Sequence, residues 1–220
     1  MKKLVKGIVD FRNNVRPGVR ETFAKLALGQ SPDALFIGCS DSRVAVNVFA
    51  STDPGDLFVV RNVGNLVPPS GDGATSDHES EAAAIEFALE ALKVSHIVVC
   101  GHSECGAMQA LVKGRESLSS PNLKSWLQFG EVDLSKVKAC PQVDTSLALH
   151  DQLSQFNVLN QLEHLKTYPL VRERLEKGEL QLHAWWFELR QAEVYAFDKN
   201  QEKFTPFDEE IGQRILARLN

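Results

Sequence analysis

Short continuous apolar runs alternate along this chain with longer stretches of helical periodicity. Ala34-Leu35-Phe36-Ile37-Gly38, Leu57-Phe58-Val59-Val60 and Ile97-Val98-Val99-Cys100 are each bounded by Pro, Gly or polar residues. Such runs predict strands buried on both faces of a sheet. The turn signal Asp53-Pro54-Gly55-Asp56 leads into the second, and Gly101 ends the third. Leu180 to Phe187 and Glu193 to Phe197 read as two further strands. Leu4, Ile8 and Phe11 share a helical face, Pro17-Gly18 predicts a break, and Phe23, Leu26 and Ala27 open a second stripe before Gly29. After the Pro/Gly/Ser-rich loop from Pro68 to Gly73, the capping box Ser76-x-x-Glu79 predicts a helix to about Leu92. That helix carries two apolar faces, Ile85, Leu89 and Leu92 on one and Ala84, Phe87 and Ala91 on the other, which predicts burial on two sides. Asp144 to about Lys166 and Asp208 to Leu219 read as two more helices.

Strands alternating with helices predict a mostly parallel sheet covered on both faces. Ligands in such sheets bind beyond the carboxyl ends of the strands, where strand order reverses. Cys39-Ser40-Asp41-Ser42-Arg43-Val44 follows the first strand and Gly101-His102-Ser103-Glu104-Cys105-Gly106 the third. If these two strands are neighbours, Cys39, His102 and Cys105 meet at one point as two sulfurs and an imidazole, a donor set suited to zinc. The i, i+3 spacing of His102 and Cys105 suits a loop turning into a helix, whose amino end should lower the Cys105 thiol pKa; Gly101 and Gly106 should let the backbone turn tightly. Cys100 and Cys140 read as buried or loop thiols. His78, His96, His150, His164 and His183 read as ordinary surface or hydrogen-bonded histidines, any exposed one near the site being able to carry protons.

Composition narrows the function. The chain has 220 residues, 43% of them hydrophobic, enough for one sizeable core and no obvious second domain. Its net charge is −5 and its Lys and Arg are scattered, without the basic stripe that nucleic-acid binding requires. No apolar run is long enough to span a membrane, and the stretch after Met1-Lys2-Lys3 is too short for a signal peptide. Four irregularly spaced cysteines do not form a disulfide framework. A soluble, cytoplasmic protein is therefore expected.

CSDSRV at 39–44, RNVGN at 61–65 and GHSECGA at 101–107 together resemble the signature of the β-class carbonic anhydrases. The resemblance runs from about Gln30 to Gly106 and weakly onward to the carboxyl terminus. It implies one zinc per chain on Cys39, His102 and Cys105, and Asp41 either as fourth ligand or as the partner of Arg43. The implied reaction is reversible hydration of carbon dioxide to bicarbonate and a proton by zinc-bound hydroxide, with Asp41 orienting the nucleophile and Arg43 holding Asp41 off the metal. The family pattern further places Gln30, Val63, Gly64 and Gly106 at the substrate pocket. Phe87 stands at a pocket position where the family commonly has tyrosine, so only packing is expected of it. Gly38 resembles the branch that closes in response to bicarbonate, but Phe36 and Phe187 replace that branch's tryptophan and tyrosine, which favours a permanently open site. Arg61, Asn62 and Asn65 are expected as structural anchors.

The fold this implies is a single α/β domain over 1–220, with about four parallel strands, one antiparallel edge strand, flanking helices, and an N-terminal helical arm over 1–29 that reaches a second subunit. A homodimer or dimer-based larger assembly follows. Three rival readings use the same residues: a structural zinc module with Asp41 as fourth ligand, a hydrolase of carbon disulfide or carbonyl sulfide, and a non-enzymatic anion sensor.

Overall fold

The computed structural model describes residues 1–71 and 79–219, and in it the apolar runs lie side by side in one six-stranded sheet. β1 (Ala34–Cys39), β2 (Leu57–Asn62), β3 (His96–His102) and β4 (Gln181–Glu188) are parallel in the order β2-β1-β3-β4. The chain leaves β1 in one direction to β2 and returns on its other side as β3, so the order reverses between β1 and β3, where an open sheet leaves a crevice. β5 (Glu193–Asp198) pairs antiparallel with β4, and β6 (Lys203–Pro206) antiparallel with β5. The antiparallel edge thus has two strands where one was expected. Lys203-Phe204-Thr205-Pro206 carries no apolar run: it is four residues long with both ends exposed, and its terminal Pro206 is tolerated on the outermost strand.

Ten α-helices complete the described chain: α1 (Lys2–Asp10), α2 (Arg16–Leu26), α3 (Val46–Phe49), α4 (Glu79–Glu86), α5 (Gly106–Lys113), α6 (Pro121–Trp126), α7 (Leu134–Ala139), α8 (Leu149–Leu165), α9 (Pro169–Glu176) and α10 (Glu209–Leu219). On one sheet face Leu35, Ile37, Ile97 and Val99 pack with Ile85 and Leu89 near α4 and with Val158 and Leu165 of α8. On the other, Phe36, Val98, Cys100 and Phe187 pack with Phe49 and Trp185. β1 is buried at every position, as its unbroken apolar run requires.

Pro17-Gly18 does not break the first helix. A π turn at Phe11–Val15 joins α1 to α2, and Pro17 falls in the first turn of α2, where its missing N–H has no intrahelical partner to serve. No residue of α1, this turn or α2 is buried: Leu4, Val5, Ile8 and Phe11 are all exposed. This segment is not core. The helix opened by α4 continues as a π turn over Phe87–Ala91. Its Ile85, Ala88 and Leu89 are buried but Phe87 is 48% exposed, so in one chain it is covered on one side, not two. Ser76 of the expected capping box, residues 72 and 73 of the preceding loop, and His78 lie outside the described residues. α8 begins at Leu149 instead of Asp144, because Asp144 Oδ1 accepts from the Ser146 N–H and hydroxyl and closes a local turn instead.

Two glycines permit close packing. A Cβ at Gly101 would stand 2.7 Å from Val158 Cγ2 and 3.2 Å from the Ser154 carbonyl, so Gly101 is what lets α8 lie against β3. It is not a turn residue. Gly106 opens α5 with open space around it, so neither glycine makes the tight turn expected of it.

Candidate metal centre

β1 ends at Cys39, the adjacent β3 ends at His102, and Cys105 caps the amino end of α5. Their Sγ, ring-nitrogen and Sγ atoms lie within 4.8 Å of one another, and all three residues are buried. The turn from His102 to Cys105 is made by Glu104, which takes the left-handed conformation at φ +54° and donates its N–H to Asp151 Oδ1 at 2.7 Å. His102 Nδ1 lies 2.8 Å from the Ser103 carbonyl, which selects the tautomer with its proton on Nδ1. Nε2 is left with a free lone pair, buried and without a hydrogen-bond partner. The Ser154 hydroxyl donates to the His102 carbonyl at 2.8 Å, fixing the strand end beneath the ring.

The two thiols divide one charge. Hydrogen bonding from the Cys105 thiol, foremost, and from the backbone N–H groups of Asp41 and Gly64 pulls the Cys39 thiol pKa down against the effect of burial. Cys105 is pushed up, first by its bond to the Cys39 thiolate and then by burial; the α5 amides of Ala107 and Met108 lower it, but by less. The helix-end effect expected at Cys105 therefore exists and loses to its neighbour. A divalent cation between the sulfurs reverses this balance and favours two thiolates. An orphaned buried imidazole nitrogen beside two buried cysteine sulfurs in no disulfide fits zinc chemistry. Cys100, by contrast, is fully enclosed and pushed up by burial alone, as an inert core thiol should be.

Asp41 is not on this group. Arg43 Nε donates to Asp41 Oδ1 at 2.9 Å, Arg43 Nη2 to Oδ2 at 2.7 Å, and the Arg43 N–H to Oδ1 at 3.0 Å. Those side-chain bonds, foremost among the causes, hold the carboxyl well below the usual carboxylate range. Oδ2 nevertheless stands only 4.0 Å from His102 Nε2, beside the donor group. Arg43 Nη2 also donates to the Glu104 carbonyl at 3.0 Å. Arg61, as expected of an anchor, donates to the Cys39 carbonyl at 3.0 and 2.7 Å and to the Asp41 carbonyl at 2.7 Å. Asn62 closes the following turn by accepting from the Leu66 N–H and donating to its carbonyl, both at 2.8 Å.

Two cavities adjoin the centre. One of about 330 Å³ is walled by Val63, Ala107, Ala110, Leu123 and Leu127 and opens onto Cys39 and Asp41. The other, about 520 Å³, is polar and includes Asp41, Arg43, Gln109 and Arg190. Val63 and Gly106 line the apolar cavity as the sequence suggests, and the buried Gly64 donates its N–H to Cys39 Sγ at 3.4 Å. Gly64 needs its φ of +85°, and a Cβ there would press on Ala107 at 3.0 Å. Gln30 lies exposed before β1 and Phe87 packs on Phe58 with ring centres 5.7 Å apart; neither lines either cavity. The sequence reading missed the α6 wall; only the apolar spacing of Leu123 and Leu127 hinted at it. Trp126, between them, donates its indole N–H to the Val63 carbonyl at 2.7 Å. Phe36 and Phe187 sit with Phe49 and Trp185 in a dry cluster behind Cys39, the Phe49 and Phe187 rings stacked at 4.7 Å.

A family profile described as carbonic anhydrase matches residues 34–194. The chain is 40% identical over 210 residues to a carbonic anhydrase of Synechococcus elongatus, an alignment covering 95% of this chain and 76% of that one. It is 36% identical to a carbonic anhydrase of Pseudomonas aeruginosa, across 99% and 96% of the two chains. Among solved structures, the β-carbonic anhydrase CcaA superposes with a TM-score of 0.83 at 39% identity, covering 94% of this chain and 91% of that one.

Proposed function

The chain belongs to the β-class carbonic anhydrases and catalyses the zinc-dependent, reversible hydration of carbon dioxide to bicarbonate and a proton, and on that premise we propose that Cys39, His102 and Cys105 hold the ion while Asp41 and Arg43 serve the reaction. Zinc so held supplies the Lewis acidity that makes water a nucleophile near neutral pH. The observation that carries the residue assignment is the two-pronged Asp41–Arg43 pair, at 2.9 and 2.7 Å. With its carboxylate turned to Arg43, Asp41 leaves Cys39, His102 and Cys105 as the three protein donors that would hold zinc, beside the apolar cavity that opens onto Cys39, whereas a purely structural zinc would need Asp41 as ligand.

The roles follow from what each group can do. Asp41, ionised, can only accept hydrogen bonds; with both oxygens braced by Arg43 it would accept from the nucleophile's O–H and so orient it. Val63, Ala107, Ala110, Leu123 and Leu127 offer an apolar wall to an uncharged substrate. The bicarbonate formed is an anion and is drawn toward the polar cleft, where Arg43 and Arg190 stand. Phenylalanine at 36 and 187 supports a site without bicarbonate-dependent closing, since neither side chain offers a hydroxyl or an indole N–H to an anion.

We further read the chain as one domain with the α1–α2 segment as an arm, assembled as a homodimer or a larger dimer-based particle in the cytoplasm. Its support is the exposed apolar face of that segment. Two β-carbonic anhydrases from Sordaria macrospora, one of them matching at 28% identity with a TM-score of 0.72 over 89% of this chain and 95% of that one, are described as tetrameric. Gln30 and Phe87, exposed and outside both cavities, would meet substrate only across an interface between copies. Among the described residues no helix is long and apolar enough to cross a membrane.

Metal analysis tests the ligand set. Cys39→Ala, His102→Ala and Cys105→Ala should each lose most of their zinc and their hydration activity. Full zinc content in all three would overturn the assignment.

A further inference from the structure

A second group of metal-binding side chains comes together at the edge of the polar cleft: Glu104, His150 and Asp151, with donor atoms all within 4.8 Å of one another. Glu104 occupies the left-handed turn after β3, while His150 and Asp151 lie in the first turn of α8. His150 Nε2 stands 3.3 Å from Glu104 Oε2 and 3.6 Å from Asp151 Oδ1. Ligands bound at about 2.1 Å in a tetrahedral zinc site lie about 3.4 Å apart, so His150 Nε2 stands from each carboxylate at the separation of two ligands on one ion.

The surroundings favour a cation. His150 Nε2 has no exposure to solvent and no hydrogen-bond partner, although it points at two carboxylates. Asp151 is 8% exposed, and burial first, then the Glu104 and Glu188 charges, push its carboxyl up. Compensation is partial: the Glu104 N–H donates to Asp151 Oδ1 at 2.7 Å and His150 stands beside both carboxylates, while Arg190, 80% exposed, reaches Glu104 Oε1 at 3.3 Å and Gln109 donates to Oε2 at 3.2 Å. A divalent ion would neutralise the excess negative charge and take the orphaned nitrogen as a ligand.

We propose that Glu104, His150 and Asp151 form a second divalent-cation site, distinct from the cysteine centre, that takes a borderline transition ion of the zinc class through one imidazole and two carboxylates. Hard cations such as magnesium are disfavoured by the imidazole. The site shares a residue with the catalytic cleft: the Glu104 carbonyl accepts from Arg43 and its N–H from the same backbone unit is held by Asp151.

The test uses tag-free, zinc-loaded, full-length protein titrated with Co²⁺. One cobalt per chain should bind beyond the resident zinc, with weak visible d–d absorption and no thiolate-to-cobalt charge transfer. His150→Gln should weaken that binding at least tenfold while leaving the resident zinc and the hydration rate unchanged, and Glu104→Gln should weaken it as well. Retained zinc in the variants reports an intact fold. No cobalt bound at concentrations up to millimolar, equal affinity in His150→Gln, or a thiolate charge-transfer band arising from exchange at the cysteine centre would each overturn the proposal.

Discussion

Removing the Arg43 guanidinium isolates the two roles open to Asp41. Arg43→Ala deletes the hydrogen bonds to Oδ1 at 2.9 Å and Oδ2 at 2.7 Å, while the main-chain N–H at 3.0 Å stays. Charged hydrogen bonds contribute about 1.5–3 kcal/mol each when shielded. The Arg43 side chain is 52% exposed, so solvent screening reduces its hold on Asp41 to roughly 1–2 kcal/mol for the two-pronged pair. Losing that much raises the detached population of Asp41 about 5- to 30-fold. The carboxylate has little distance to cover, since Oδ2 already lies 4.0 Å from His102 Nε2. Without Arg43 the Asp41 pKa returns toward the ordinary value of about 3.9, still far below neutral, so the detached group remains an anion able to coordinate zinc. Arg43→Ala should keep its zinc, lose about tenfold or more in kcat/KM, and lose most at lower pH, where hydroxide competes poorly with the carboxylate. Stopped-flow hydration kinetics, with absorption spectra of the cobalt-substituted variant, measure both effects. Near-parent turnover together with an unchanged cobalt spectrum would refute the gatekeeping role and leave the three-ligand site standing.

Other outcomes follow from particular contacts. Asp41→Asn should retain zinc, because Asp41 is not among the three gathered donors, and lose about 10- to 100-fold in hydration rate; a parent-like rate would remove Asp41 from the mechanism. Gly101→Ala places a methyl 2.7 Å from Val158 and 3.2 Å from the Ser154 carbonyl, and should cost about 1–3 kcal/mol in urea denaturation; an unchanged midpoint would contradict the packing described. The His183 pKa is depressed to about 4 by burial, with His96 adding to it. Unfolded, the same imidazole titrates near about 6.5, so the unfolded chain takes up its proton first, and this group's contribution to stability is whole above about pH 6.5 and lost as pH falls toward about 4. His183→Gln should therefore lose less stability than the parent between about pH 7 and about pH 5, and equal losses would show that His183 does not drive the change.

The strands were legible in the sequence because a strand covered on both faces leaves an unbroken apolar run, as Leu35–Phe36–Ile37 and Ile97–Val98–Val99 do. The ligand types were legible because zinc chemistry restricts them to Cys and His, and because strand ends are where open sheets gather ligands. β6 escaped notice because its four residues, exposed at both ends, contain the single large apolar side chain of Phe204 and so leave no run to read. The break expected at Pro17 assumed an uninterrupted hydrogen-bond register, which the π turn at Phe11–Val15 shifts.

What local pattern determined, then, was which residues form strands and which side chains can ligate. Tertiary structure decided how they meet. Placing β3 next to β1 brought Cys39 to His102 and Cys105 across about sixty residues of chain, a consequence of strand order that no window of sequence contains. The Cys39 thiol was pulled down and the Cys105 thiol pushed up first by the bond between them, which exists only because the fold sets the two sulfurs side by side. Asp41 was turned toward Arg43, and Arg43 was braced by the Glu104 carbonyl, 61 positions away. Side-chain chemistry is carried by each residue alone, whereas charge, proton and coordination state are properties of neighbours, and only the folded chain supplies them.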